Sequence, residues 1–291
     1  MPDLLLDSGE ARGRLWWNHG LRWHGRPAGA LGQIAGASQE ALTGWLGTAC
    51  DRLRTEGCAV ALGPLDGSTW GAYRLVADAG DAPPFLLDVD TPPFWPAAFA
   101  AAGFSAVARY TSTEGPIAQV AAPTPVPGVT LRPLDLQDLP GEAQRLHPLV
   151  DAAFSGSPAF VPLPPGGFRA HLHALAPLVV PGLALVATTD DRPEVPVGFV
   201  FAYPDIRPNA RADTLVLKTL AVAPAWAGRG VGRWLADAVE ARGAALGMTR
   251  VVHALMLDQN TSRRMSGHRA THVRRRYALL GRTLDGQPLP A

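Results

Sequence analysis

Apolar and polar positions divide the second half of the chain into short, regularly punctuated segments. Val129-Thr130-Leu131-Arg132-Pro133-Leu134 alternates with period two and predicts a strand. Asp138 to Phe154 carries apolar residues at helical spacing, and Phe168 to Leu178 predicts a second helix. Gly182 to Thr188 and Val195 to Tyr203 are apolar runs bracketing Asp190-Asp191-Arg192-Pro193, which predicts a hairpin. Thr214 to Val222 predicts another strand, leading through Pro224 into a glycine-rich turn. A helix is expected from Gly230 to about Leu246, with Gly247 as its stop. Val251 to Leu257 predicts a strand, Thr261 to about Arg269 a short helix, and Val273 to Leu280 a last strand. Strands interleaved with helices on this scale indicate an α/β (α+β) domain.

Ahead of these elements, Pro116 to Pro127 (PIAQVAAPTPVP) holds no charge and follows neither period. It reads as an extended linker, so the expected division is a domain at 1–115, a linker at 116–128 and a domain at 129–291. The first domain reads as a worn copy of the second. Gly44-Trp45-Leu46 matches Arg233-Trp234-Leu235, and Leu65-Asp66-Gly67-Ser68-Thr69 matches Leu257-Asp258-Gln259-Asn260-Thr261. Val107-Ala108-Arg109-Tyr110 matches Arg274-Arg275-Arg276-Tyr277, and the three pairs come in the same order. The copies differ before the long helix. The first has Ala35-Gly36-Ala37-Ser38-Gln39-Glu40, an ordinary helix start with Ser38 as N-cap, where the second has alternating glycines.

Composition narrows the classes. With 291 residues, 47% hydrophobic and 18% charged, each half can bury a core. A net charge of +1 gives no general case for a nucleic-acid or membrane-surface protein. The longest apolar run, Leu175 to Thr188, is broken by Pro177 and Pro181 and falls short of the ~18 residues a membrane helix needs. Met1-Pro2-Asp3 lacks the basic residues that open a secretory signal, so a cytoplasmic location is expected. Cys50 and Cys58, the only two cysteines, suit buried thiols better than a disulfide framework or a metal site. His171 and His173, two apart on a helix, point to different faces and are no metal pair. Seven arginines between Gln259 and Leu284 (263, 264, 269, 274, 275, 276 and 282) come without an acidic residue. On a strand, Arg274 and Arg276 share one face and Arg275 takes the other, so the run is not a single patch. Of 26 basic residues, only Lys218 is a lysine, and it lies inside an apolar strand. Such a lysine must reach out to water, pair with Asp205 or Asp213, or point into a functional slot.

The strongest chemical signal is Val222-Ala223-Pro224-Ala225-Trp226-Ala227-Gly228-Arg229-Gly230-Val231-Gly232-Arg233-Trp234-Leu235. A strand ends at proline, and three alternating glycines open an amphipathic helix. Glycines let a ligand approach the backbone, and the first helical N–H groups lack intrahelical partners. With the helix dipole added, Ala227 to Arg233 form an anion cradle that a pyrophosphate fits.

This run resembles the acyl-CoA motif of the GNAT superfamily of N-acetyltransferases, Gln/Arg-x-x-Gly-x-Gly/Ala at the end of the fourth strand. Gly230-Val231-Gly232 match it, with Val222 and Pro224 before them, while Ala227 stands where the family has Gln or Arg. The resemblance covers 129 to about 284, and 14–114 as a degenerate copy. It implies two GNAT-like domains, each a mixed, mostly antiparallel sheet flanked by helices. It further implies acetyl-CoA as co-substrate and a small-molecule amine as acceptor; the composition and spacing above give no nucleic acid, membrane or metal as partner. On the resemblance, backbone groups of Leu220, Ala221 and Val222 pair with the pantetheine arm, and the cradle Ala227, Gly228, Arg229, Gly230, Val231, Gly232 and Arg233 takes the pyrophosphate. Asn260 either steadies the CoA arm or makes a local Asx turn. The family's usual tyrosine acid falls at Gly267, and its usual glutamate base falls where this chain has Val216 and Lys218. Lys218, Tyr277 and Tyr203 are therefore the candidate catalytic residues, with His253 as a proton relay. Facing the slot, Lys218 would hold a substrate carboxylate or accept the amine's proton. The two absences also leave open a non-catalytic acyl-CoA-binding or regulatory protein.

Overall fold

The structure, a computed structural model, describes residues 1–117, 123–207, 213–260 and 271–289. The short helix expected at 261–269, with Gly267 and Arg263, Arg264 and Arg269, lies outside the described residues. The chain forms two compact units. The first comprises 1–110, 157–161 and 275–291; the second comprises 111–156 and 162–274.

The first unit begins with β1 (Leu4–Asp7), β2 (Ala11–Trp16), β3 (Arg22–Trp23) and β4 (Arg26–Gly36). Helix α1 (Gln39–Thr55), β5 (Val60–Gly63), β6 (Leu75–Asp78), α2 (Trp95–Ala101) and the first part of β7 (Ser105–Pro116) follow. Ser38 caps α1 as expected, its side chain accepting from the Ala41 N–H. Apolar residues of α1 at helical spacing (Leu42, Trp45, Leu46, Ala49, Cys50, Leu53) are buried in one core with Trp95, Ala98 and Phe99 of α2. Trp45 fits because Gly13 faces its ring, where a Cβ would stand 2.6 Å away, and its indole N–H donates to the Leu6 carbonyl at 3.0 Å.

The second unit holds the rest of β7, then β8 (Val129–Pro133), α3 (Leu139–Phe154), α4 (Pro165–Leu175), β9 (Ala184–Thr189) and β10 (Arg192–Pro204). It continues through β11 (Thr214–Val222), α5 (Val231–Ala245) and β12 (Arg250–Leu257) into the start of β13 (His272–Thr283). Its strands run in the order β7-β12-β11-β10-β9-β8. β8–β9, β9–β10 and β10–β11 pair antiparallel, and β11–β12 pair parallel across α5. The apolar stripe of α5 (Val231, Leu235, Val239) packs on Leu185, Ala187, Val200, Leu215 and Leu217. Gly198 of β10 brings the start of α5 close, since a Cβ there would stand 2.8 Å from Leu235 and 2.9 Å from Val231. On the opposite face, α3 lies against β10 and β11, with Glu142 buried between Arg132 (2.9 Å) and Arg145 (2.6 Å). No helix of the described residues is long and apolar enough to cross a membrane.

The strands and helices expected from 129 to 257 are present with ends shifted by a few residues. The compact units, however, do not follow the division 1–115, 116–128 and 129–291. Within the first unit, β13 lies between β5 and β7, pairing antiparallel from Leu280↔Gly63 to Thr283↔Val60. Thr111–Pro116 belongs instead to the second unit, beside β12. Periodicity identifies a strand but carries no information on which sheet receives it. Ile117 and Val126, from the expected linker, pack on the second unit's core.

Candidate functional site

The second unit is distinguished by a parallel pair that comes apart. β11 and β12 are in register from Thr214↔Arg250 to Leu217↔His253, and the pairing goes no further. Thr219 to Val222 remain paired with β10 on their other side, from Phe201↔Thr219 to Gly198↔Val222. β12 turns away as it leaves. Leu255 has φ +54°, and its N–H donates to Ser112 Oγ at 3.0 Å, toward β7. A gap thus opens between two strands, edged by the backbone of Leu220, Ala221 and Val222. Peptide groups on such an edge bind a ligand that presents amides as a third strand would.

Lys218 sits at the mouth of this gap. Between Phe201↔Thr219 and Ala202↔Leu217, β10 advances one residue and β11 two, so Lys218 is the extra residue of a β-bulge. Bulges re-aim side chains and interrupt pairing, and here the interruption coincides with the parting of the strands. By alternation, Leu217 and His253 belong to the α5 face, whereas Phe201, Tyr203 and Thr219 belong to the opposite face. Tyr203 is buried, its ring centroid 5.4 Å from that of Phe201. Asp205 makes a two-point ion pair with Arg207 (2.9 and 2.7 Å), and Asp213 accepts from Thr249.

At the far end of β11 the chain makes a 3₁₀ turn, Pro224–Trp226, and enters α5. Gly228 and Gly230 have φ of +75° and +88°, conformations that favour glycine, and Gly230 is the N-cap, with no side-chain cap. The first α-helical bond runs from the Trp234 N–H to the Gly230 carbonyl, so the N–H groups of Val231, Gly232 and Arg233 precede the ladder. Ala227, Gly228, Arg229, Gly230 and Arg233 are exposed. A Cβ on Gly232 would meet Val222 at 3.3 Å, a tight contact that glycine avoids. Arg229 stacks over Trp226 at 5.0 Å and Arg233 Nε lies 3.6 Å from Asp237. Two arginines and the positive helix end favour an anion here.

The structure therefore gathers Lys218, Tyr203, Leu220–Val222 and Ala227–Arg233 along β10, β11 and the start of α5. Asn260 is exposed just past β12, its own N–H bonded to the Leu257 carbonyl. His253 faces α5, where Nε2 lies 3.1 Å from Glu240 Oε1 in a buried pair. That pair ties the helix carrying the cradle to the last paired position of β12. Tyr277 falls in the first unit, where its hydroxyl donates to Asp88 at 2.7 Å beside Arg275. The arginine run is divided: Arg274 pairs with Glu114, Arg275 with Asp88 and Asp90, and Arg276 with Asp78. The bulge at Lys218 had no signature in the sequence beyond the oddity of a lysine among apolar neighbours.

Comparison with known proteins agrees with this geometry. The model of the Acetyltransferase (GNAT) family matches residues 156–266. A GCN5-related N-acetyltransferase from Sphaerobacter thermophilus shares the fold at 14% identity and TM-score 0.59, covering 94% of this chain and 77% of its own. A tandem GNAT protein from the clavulanic acid biosynthesis pathway does so at 10% identity and TM-score 0.53, covering 99% and 86%. A GCN5-related N-acetyltransferase from Anabaena variabilis gives 11% identity and TM-score 0.55, covering 94% and 59%. No curated protein matches the sequence.

Proposed function

From a chain that carries a GNAT-family domain at 156–266 within a fold of two GNAT-like domains, we infer an acetyl-CoA-dependent N-acetyltransferase acting on the amine of a small molecule. One observation carries the reading: the parting of β11 and β12 after Leu217↔His253, with an uncapped glycine-rich helix start at the end of the same strand. The residues fit the co-substrate. The N–H groups of Val231, Gly232 and Arg233, with Arg229 and Arg233, suit a pyrophosphate, and the edge of Leu220–Val222 suits the amides of a pantetheine arm. Acetyl-CoA supplies an acetyl group activated as a thioester.

The chain's own residues then orient and move protons. Lys218, aimed by the bulge, holds a carboxylate of the acceptor or takes the proton its amine loses. Tyr203 is the only tyrosine in the second unit and is assigned the acid that protonates the departing thiolate. Tyr277 is left out of the proposal because Asp88 holds its hydroxyl. The proposal includes a cytoplasmic setting and no nucleic-acid partner. A second reading, a non-catalytic acyl-CoA-binding protein, is favoured by Val216, a buried apolar residue at the family's usual base position.

Gly232→Asp tests the site, because it puts a side chain and a negative charge into the cradle without changing a left-handed residue. Acetyl-CoA affinity by calorimetry should fall at least a hundredfold, about 2.8 kcal/mol. Unchanged affinity in a folded variant would place the cofactor elsewhere. CoA release that depends on an added amine separates the enzyme from the non-catalytic reading.

A further inference from the structure

The first unit repeats the architecture of the gap and then closes it with its own chain. β4 and β5 run parallel from Ala28↔Val60 to Ala30↔Leu62, as β11 and β12 do. Beyond that point β4 is irregular in the same way. Against β2 the register slips between Arg12↔Ala35 and Arg14↔Gly32, and Gln33 there has φ +48°. A gap between β4 and the end of β5 should follow. Instead, the chain after β5 comes back to the edge of β4. The Leu65 N–H donates to the Leu31 carbonyl at 2.7 Å, and the Gln33 N–H donates to Asp66 Oδ1 at 2.7 Å. The fit is tight: a Cβ on Gly32 would stand 2.5 Å from the Leu65 carbonyl oxygen and 2.7 Å from Asp66 Cα. Leu65 is wholly buried, and the Asp66 N–H is fixed to the Ala72 carbonyl at 2.9 Å.

We propose that the first unit retains a slot for an acyl-pantetheine arm and that Leu65 and Asp66 occupy it in cis, so that the chain binds one acyl-CoA rather than two. This rests on the acyl-CoA reading of the gap in the second unit. Leu65 supplies the strand-like hydrogen bond that an amide of the arm would supply, and Asp66 holds the strained Gln33 peptide that a ligand would otherwise meet. Burial pushes the Asp66 carboxyl above its ordinary range, and the Gln33 N–H offsets this only in part. Its Oδ1 accepts from the Gln33 N–H, the contact that holds the carboxyl in this buried place. The helix start of this unit adds no competing anion site, since Ser38 caps it and Glu40 lies in its first turn.

S-acetylpantetheine, which lacks the nucleotide and so does not need the glycine cradle, is the probe. Native mass spectrometry of the full chain should show one molecule bound. The Leu65→Pro, Asp66→Gly double variant, which removes the Leu65 N–H and the Asp66 carboxylate, should show two, and acetyl-CoA should still bind once, in the second unit. Two molecules on the wild type, or one on the folded double variant, would overturn the proposal. Zero on the wild type would instead overturn the reading of the second unit. Asp66→Ala, a milder change, should raise hydrogen exchange at the Gln33 amide at least tenfold, and an unchanged rate would also defeat the proposal.

Discussion

Lys218 is the single lysine among 26 basic residues, and its neighbours from Leu215 to Val222 are apolar or small. That much is legible in the sequence, and so are the three glycines of the cradle. The sequence does not reveal that Lys218 is a bulge residue, because a bulge arises from the pairing of two strands and leaves no period in either. Its place at the parting of β11 and β12 joins an unusual side chain to an unusual backbone. Lys218→Arg keeps the charge but changes the shape and removes the proton acceptor. Turnover should drop more than tenfold, over ~1.4 kcal/mol in the barrier, while acetyl-CoA affinity stays within twofold. Near-normal turnover in steady-state assays would remove Lys218 from the mechanism. The glycines divide by conformation in a way their spacing cannot show. Gly228 and Gly230 serve their positive φ, and Gly232 serves clearance from Val222.

Helix α5 is set by packing from below and by ion pairs on the strands beside it. Gly198→Ala places a methyl under 3 Å from Val231 and Leu235, the two residues that seat its first turns. Overpacking of this kind costs about 1–3 kcal/mol. The variant should therefore melt several degrees lower and bind acetyl-CoA more weakly, because the cradle moves with the helix. An unchanged melt would mean that α5 is free to shift. On the other side of β12, Glu114 of β7 pairs with Arg250 of β12 (Nε at 2.6 Å) and with Arg274. Burial pushes the Glu114 carboxyl up, but Arg274 and Arg250 outweigh it and hold it below the ordinary carboxylate range. A depressed carboxyl adds stability above its unfolded pKa and loses it as pH falls through the folded value. Glu114→Gln should thus cost roughly 2 kcal/mol at pH 7 and progressively less as pH falls below the ordinary carboxylate range, in urea titrations at neutral and at acid pH. An equal loss at both would show that charge is not what holds β7 to β12. The strand at Val251–Leu257 was predictable from its apolar run, and its partner Glu114 was not, since Glu114 and Arg250 are 136 residues apart.

The two units are sequentially interleaved, which the linker-like composition of 116–128 conceals. A boundary read from prolines assumes that each half keeps its own strands. Here Arg275–Thr283 completes the sheet of the first unit, and Ala278, Leu280 and Leu284 enter its core. Thr111–Pro116, which carries Glu114, serves the second unit instead. A fragment of 1–115 therefore exposes the edge of β5 from Val60 to Gly63 and loses three core side chains, too much for a unit of marginal stability. Cys50 and Cys58 report the outcome. Both are buried in the full chain, and burial pushes each thiol up to about 11, so neither should be alkylated at pH 8. In the fragment 1–115, both should react with iodoacetamide as fast as in urea. A synthetic peptide of residues 271–291 added in trans should then slow the reaction at least tenfold, because it restores the strand between β5 and β7. Fragment 1–115 with protected thiols and a cooperative melt would show that the first unit does not need its last strand, and the linker would regain its place as the domain boundary.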